Sequence, residues 1–175
     1  MQTRPRFLRG FLFGGAFMNP QNVIIHHSLT KDGSVADWEA IRRYHKETNG
    51  WSDIGYHYGI ERVGGGLSLQ IGRPESQSGA HTEEMHMNSK SIGICVVGNF
   101  DLAPPGLEIM RFLADIVRRK VAEYGIPVNA ILGHREVGLM GGFDWRKGQY
   151  KTCPGKYFQM DVLREMVGAQ IKIAI

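Results

Sequence analysis

With 175 residues the chain has the size of one ordinary domain, and its apolar share of 42% and charged share of 22% argue against intrinsic disorder. No apolar run reaches the ~18–20 residues that a membrane-spanning helix needs, so no membrane span is expected. The formal net charge of +4 suits nucleic acid, an anionic membrane or an acidic cell wall equally well, but no recognition motif or basic–aromatic stripe accompanies it, and no specific nucleic-acid partner is expected.

Met1 to Gly10 carries Arg4, Arg6 and Arg9, and Phe11-Leu12-Phe13 follows. A basic start ahead of an apolar patch is the outline of a secretory signal. The patch is brief, however, and no clean small-x-small cleavage site follows before Asn19. Residues 1–20 therefore read as a loosely attached extension, and 21–175 as one domain. Val23-Ile24-Ile25 reads as a buried strand. Ser34-Val35-Ala36-Asp37 has the form of a helix start, and the helix is expected to run to about Lys46 with Trp38, Ile41 and His45 on one face. Tyr56–Ile60 and Leu67–Ile71 flank Gly64-Gly65-Gly66 and predict a hairpin. Ile92–Val97 predicts another strand.

Beyond Pro104-Pro105-Gly106, the stripe Ile109, Leu113, Ile116, Val117, Val121 and Tyr124 predicts a helix that Gly125 and Pro127 end. Ala130–Leu132 predicts a short strand and Tyr157–Val167 a last helix. The order β-α-β-β-β-α-β-α points to an α/β fold: a single-domain mixed sheet flanked by helices, with its site at strand ends and in the loops beyond them.

His26-His27 follows the first strand, and neighbouring strand residues face opposite ways, so one of the two can enter a given site. A lone strand-end histidine is more often structural than a ligand, so partners must be sought. His134 ends the Ala130–Leu132 strand and Cys153 sits in a turn before Pro154. Two imidazoles and a thiolate would give zinc three ligands and leave a fourth position open, the pattern of a catalytic rather than a structural site. Spacing by itself is a weak signal for this set. The other cysteine, Cys95, lies in an apolar run and reads as a small buried hydrophobe. In Asp53-Ile54-Gly55-Tyr56-His57-Tyr58, alternation puts Tyr56 and Tyr58 on one face and His57 on the other. Tyr56 is either a core aromatic or a hydrogen-bond donor to a developing oxyanion. Lys151, two residues before Cys153, is either a solvated lysine or a positive charge beside the same cavity.

Seven segments in fixed order carry a resemblance: Ile25–Thr30, Asp53–Tyr58, Gly79-Ala80-His81, Ser91–Ile94, Val97–Phe100, Gly133–Val137 and Lys151–Gly155. Together they resemble the zinc-dependent N-acetylmuramoyl-L-alanine amidase family, which includes amidase-type phage lysozymes and shares its fold with peptidoglycan recognition proteins. The resemblance spans roughly Val23 to Val167. It implies one zinc ion per chain held by His26, His134 and Cys153, with Tyr56 and Lys151 as catalytic groups. It implies that His81 lines the substrate groove and that His27 faces away. It implies peptidoglycan or muropeptides as substrate, cut between the muramoyl lactyl group and L-alanine. A monomeric phage endolysin, made in the cytoplasm and acting on the wall in the periplasm, is the expected context. The alternative is a peptidoglycan-binding module of the same fold that does not cut. One segment departs from the phage pattern: Gly138 to Tyr150 is long and Gly-rich between the second histidine and the cysteine. It is expected to lie beside the metal as a lid, as a sugar-binding wall through Trp145, or as plain loop packing.

Overall fold

The structure is a computed structural model that describes residues 18–30 and 37–171. The N-terminal extension up to residue 17 and the expected helix start at Ser34-Val35-Ala36 lie outside the described residues. Nine elements follow in order: β1 (Asn22–His27), α1 (Trp38–Arg43), β2 (Tyr58–Val63), β3 (Gly66–Ile71), β4 (Ser91–Val96), α2 (Leu107–Tyr124), β5 (Ile131–Gly133), α3 (His134–Met140) and α4 (Met160–Ile171). The five strands form one mixed sheet in the order β3-β2-β4-β1-β5. β1 runs parallel to both β4 and β5, β2 runs parallel to β4, and only β3 is antiparallel.

The central strands are buried on both faces, which is why β1 and β4 read as apolar runs without alternation. One face packs against α2 and α4, where Val23, Ile25, Ile92, Ile94 and Ile131 meet Leu113, Val117, Val121, Leu163 and Val167. Each such fully buried aliphatic side chain is worth about 1.5–3 kcal/mol relative to exposure. The opposite face carries Ile24 with Val137 of α3, and Cys95 with Trp38 of α1 and Ile54. A half-buried carboxylate ties the chain beyond β3 to α2: Glu75 accepts from the Tyr58 hydroxyl, from Tyr124 at 2.5 Å and from Lys120 at 2.7 Å.

Helix α2 matches its sequence pattern, with Gly125 closing it in the left-handed conformation at φ 67°. The hairpin turn is Gly64-Gly65, both at positive φ, as a two-residue connection demands. Other boundaries differ from expectation. Asp37 is the cap of α1 itself, its carboxylate accepting from the Ala40 N–H at 2.6 Å. The helix then widens into a π turn over Tyr44–Thr48 rather than continuing regularly. α4 begins at Met160, three residues later than the apolar pattern suggests. α3 was not foreseen, because it starts on the residue that leaves β5 and leaves no loop between them.

Trp38 is 1% exposed and lies flat against Gly59 of β2, where a Cβ would sit 2.3 Å from the ring. Gly59→Ala should therefore destabilise the protein by about 1–3 kcal/mol through overpacking. Denaturant unfolding checks this; a variant with the parent's midpoint would show that the ring can shift at no cost.

Candidate metal centre and active site

Strand register decides which histidine enters the site. His26 pairs with Cys95 across β1 and β4, on the face that carries α1 and α3. His27 lies on the other face, stacked on Phe100 at 6.2 Å with Nδ1 accepting the Phe100 N–H at 3.2 Å. β5 lies beside β1 and delivers His134 as the first residue of α3. Cys153 arrives on a turn held from several sides. The Arg135 N–H donates to the Cys153 carbonyl at 2.6 Å, and the Gly155 N–H to that of Thr152 at 2.9 Å. Asp101 accepts the Thr152 hydroxyl and the Lys156 N–H, both at 2.7 Å. The result is that one donor atom from each of His26, His134 and Cys153 lies within 4.8 Å of the others, with His26 Nδ1 3.5 Å from Cys153 Sγ.

Burial sets the charge of this group. It holds His26 well below the usual imidazole range, helped by His134 and His81 nearby, and brings His134 down to about 4. Both rings are thus neutral at pH 7 and have a lone pair to give. Burial pushes the Cys153 thiol up to about 12, so the sulfur keeps its proton until a cation stands beside it. Two neutral imidazoles and one thiol, with no fourth His, Cys, Asp or Glu in the cluster among the described residues, fit zinc with an open coordination position.

The cluster opens into a cavity of about 280 Å³ whose walls include Leu29, His45, Trp51, Tyr56 and Lys151. The Tyr56 ring lies 5.1 Å from His26. Burial, with Cys95 and Cys153 close by, pushes its phenol well above the usual range, so the hydroxyl keeps its proton at neutral pH. The alternation expected over 56–58 does not hold. β2 starts only at Tyr58, and the chain before it is not extended strand, so Tyr56 and His57 both reach the site face while Tyr58 joins the α2 side. Lys151 lies beside Cys153 as the turn requires, with its side chain half exposed and Nζ 3.7 Å from Glu84.

His81 is among the residues lining this cavity, although little of its surface is exposed. It is 8% exposed and sits behind His26, its Nδ1 3.1 Å from His26 Nε2. Trp145 is not among the residues lining this cavity. Its ring lies under the guanidinium of Arg135 at 4.6 Å, and Arg135 in turn donates to the carbonyls of Gly155 and Phe158. The 138–150 segment is only partly loop: its start belongs to α3, and Trp145–Lys147 forms a 3-10 turn. Three lining or neighbouring residues escaped sequence reasoning. Trp51 and His45 form one wall, their rings 4.8 Å apart, and the position of Trp51 just ahead of Asp53–Tyr58 was the available signal. Glu84 offered none.

The sequence profile of the N-acetylmuramoyl-L-alanine amidase family matches residues 16–156. The chain belongs to this amidase family. Within the family's relatives, it is 35% identical to a human N-acetylmuramoyl-L-alanine amidase over 146 residues, which is 77% of this chain and 23% of that protein. It is 39% identical to the endolysin of Escherichia phage T7 over 79 residues, 45% of this chain and 48% of that protein. The chain thus spans about a quarter of the one relative and about half of the other. It is 32% identical to the endolysin of Klebsiella phage KP32 over 144 residues, 74% of this chain and 88% of that protein. The amidase LysC from Clostridium intestinale shares the fold, with a TM-score of 0.68 at 24% identity over 93% of this chain and 94% of that one. Drosophila PGRP-LB, solved as a mutant in complex with tracheal cytotoxin, has a TM-score of 0.62 at 26% identity over 85% of this chain and 83% of that one.

Replacing the sulfur tests the cluster directly. Cys153→Ser is expected to weaken zinc binding by more than the about 10–100-fold that loss of a ligand's outer hydrogen-bond partner costs. Metal content after dialysis against a chelator series measures it; undiminished zinc in the variant would remove Cys153 from the donor set.

Proposed function

We propose that this amidase-family chain is a zinc-dependent peptidoglycan hydrolase that cleaves the amide between the N-acetylmuramoyl lactyl group and L-alanine of the stem peptide. The observation that carries the reading is the convergence of His26, His134 and Cys153 at the floor of an open cavity, with Tyr56 and Lys151 on its walls. When bound there, zinc supplies Lewis acidity toward a carbonyl and lowers the pKa of water to about 7.

The chain's own residues then have defined tasks. His26 and His134 stay neutral because they are buried. Tyr56, which keeps its proton, donates a hydrogen bond to the carbonyl oxygen as it gains negative charge. Lys151 adds a positive charge at the mouth, where its half-exposed side chain can follow the substrate. His45, Trp51 and Leu29 offer an apolar and aromatic wall for a sugar ring or peptide side chain. Water adds to the amide carbon, the carbon–nitrogen bond breaks, and the products are a lactyl carboxylate and a stem peptide with a free amino terminus.

A phage endolysin is the context we favour, made in the host cytoplasm and reaching the wall in the periplasm. The endolysin of Klebsiella phage KP32, 88% of which this chain covers, supports it. The competing role, a module that holds peptidoglycan without cutting it, leaves the half-buried thiol of Cys153 without a task.

Digestion of purified peptidoglycan with and without a chelator, read by mass spectrometry, separates the two. Stem peptides beginning with L-alanine, lost on chelation and restored by zinc, are the expected result; intact wall that retains the protein is the result that overturns it. Tyr56→Phe should lower turnover by about 10²–10³ with wall binding kept, as removal of one oxyanion donor does. A loss confined to wall affinity would make Tyr56 a binding residue.

A further inference from the structure

We propose that Glu84 is a positioning residue for His134, an inference that rests on the zinc reading of the cluster. Its carboxylate and the hydroxyl of Tyr150 together occupy Nε2 of the imidazole and leave Nδ1 for the metal. Glu84 Oε2 lies 3.4 Å from His134 Nε2, and the Tyr150 hydroxyl lies 3.1 Å from the same nitrogen. The other carboxylate oxygen, Oε1, is 3.7 Å from Lys151 Nζ. One acidic side chain thus faces a metal-ligand candidate and a catalytic candidate at once.

Glu84 is delivered by unusual backbone. Met85 and His86, directly after Glu84, stand in the left-handed region at φ 54° and 58°. Residues with a Cβ reach that region only at a cost, and such strain collects at functional sites. The Asn88 carboxamide stitches the kinked stretch to the site by accepting the N–H groups of His81 and Thr82, both at 2.7 Å. From the other side, Tyr150 closes the long segment after α3. Its ring lies on Gly138, where a Cβ would sit 2.3 Å from Cδ1, and stacks with Phe143 at 6.4 Å. The segment that lengthens the path from His134 to Cys153 therefore returns a hydroxyl to His134.

The physical reason for such an arrangement is tautomer control. A histidine that binds metal through one nitrogen must carry its proton on the other, and a carboxylate facing that N–H fixes both the tautomer and the ring angle. Such outer partners are worth about 10–100-fold in metal affinity.

The test measures zinc affinity of the full chain by competition with a chromogenic chelator, for the parent, Glu84→Gln and Gly138→Ala. Glu84→Gln should bind zinc about 10–100-fold more weakly while the metal-free protein melts as the parent does. Gly138→Ala, which displaces the Tyr150 ring, should shift affinity in the same direction. Histidine NMR on the zinc-loaded parent gives a second readout that needs no variant: His134 should carry its proton on Nε2. A Glu84→Gln affinity within about twofold of the parent, or ligation through His134 Nε2, overturns the inference. A parent that holds no zinc overturns the metal-centre reading as well; a parent that holds zinc beside an unaffected Glu84→Gln overturns the role of Glu84 alone.

Discussion

The parallel pairing of β1 between β4 and β5 is the constraint on which the rest depends. Side chains alternate along a strand, so a slip of one residue would carry His26 into the helix-covered core and bring His27 to the site. The aliphatic runs prevent the slip: Val23 and Ile25 are committed to the α2 and α4 side, with Ile92 and Ile94 beside them. Register and core are therefore one choice. The same pairing holds β5 against β1, and α3 starts where β5 stops, so His134 arrives next to His26 with no loop to blur the distance.

Burial of that floor does two things at once. It keeps the imidazoles uncharged, which leaves each a lone pair to give, and it keeps the thiol protonated. Tyr56 is held in its neutral form by the same desolvation. The polar groups around the cavity rim differ. Lys151 and Glu84 stand closer to solvent and face each other, so the positive charge near the cavity has a partner of its own.

Much of this was legible in the sequence because the signals were periodic or local. The α2 stripe, the glycine hairpin turn and the strand runs around His26 and Cys95 each follow from spacing alone. The three donors were readable only through the ordered set of short segments, since nothing in their spacing implies proximity. Reading failed where tertiary packing overrode pattern. Tyr56 was placed by alternation on a strand that starts two residues later. Trp145, in a segment open to reading as a lid, a sugar-binding wall or plain loop packing, lies against the guanidinium of buried Arg135 and outside the cavity lining. Glu84 sits in an unpatterned polar stretch, and its neighbours at the site come from the far end of the chain, so no local rule could single it out.

The turn bearing Cys153 is stitched to Arg135 and Asp101 by hydrogen bonds that need no ion. The donor atoms are gathered as the chain folds, and little conformational freedom is left to lose when a metal arrives. This separates the protein from small zinc domains, in which binding free energy is folding free energy. On the zinc reading proposed above, the ion would meet side chains whose backbone these contacts already hold.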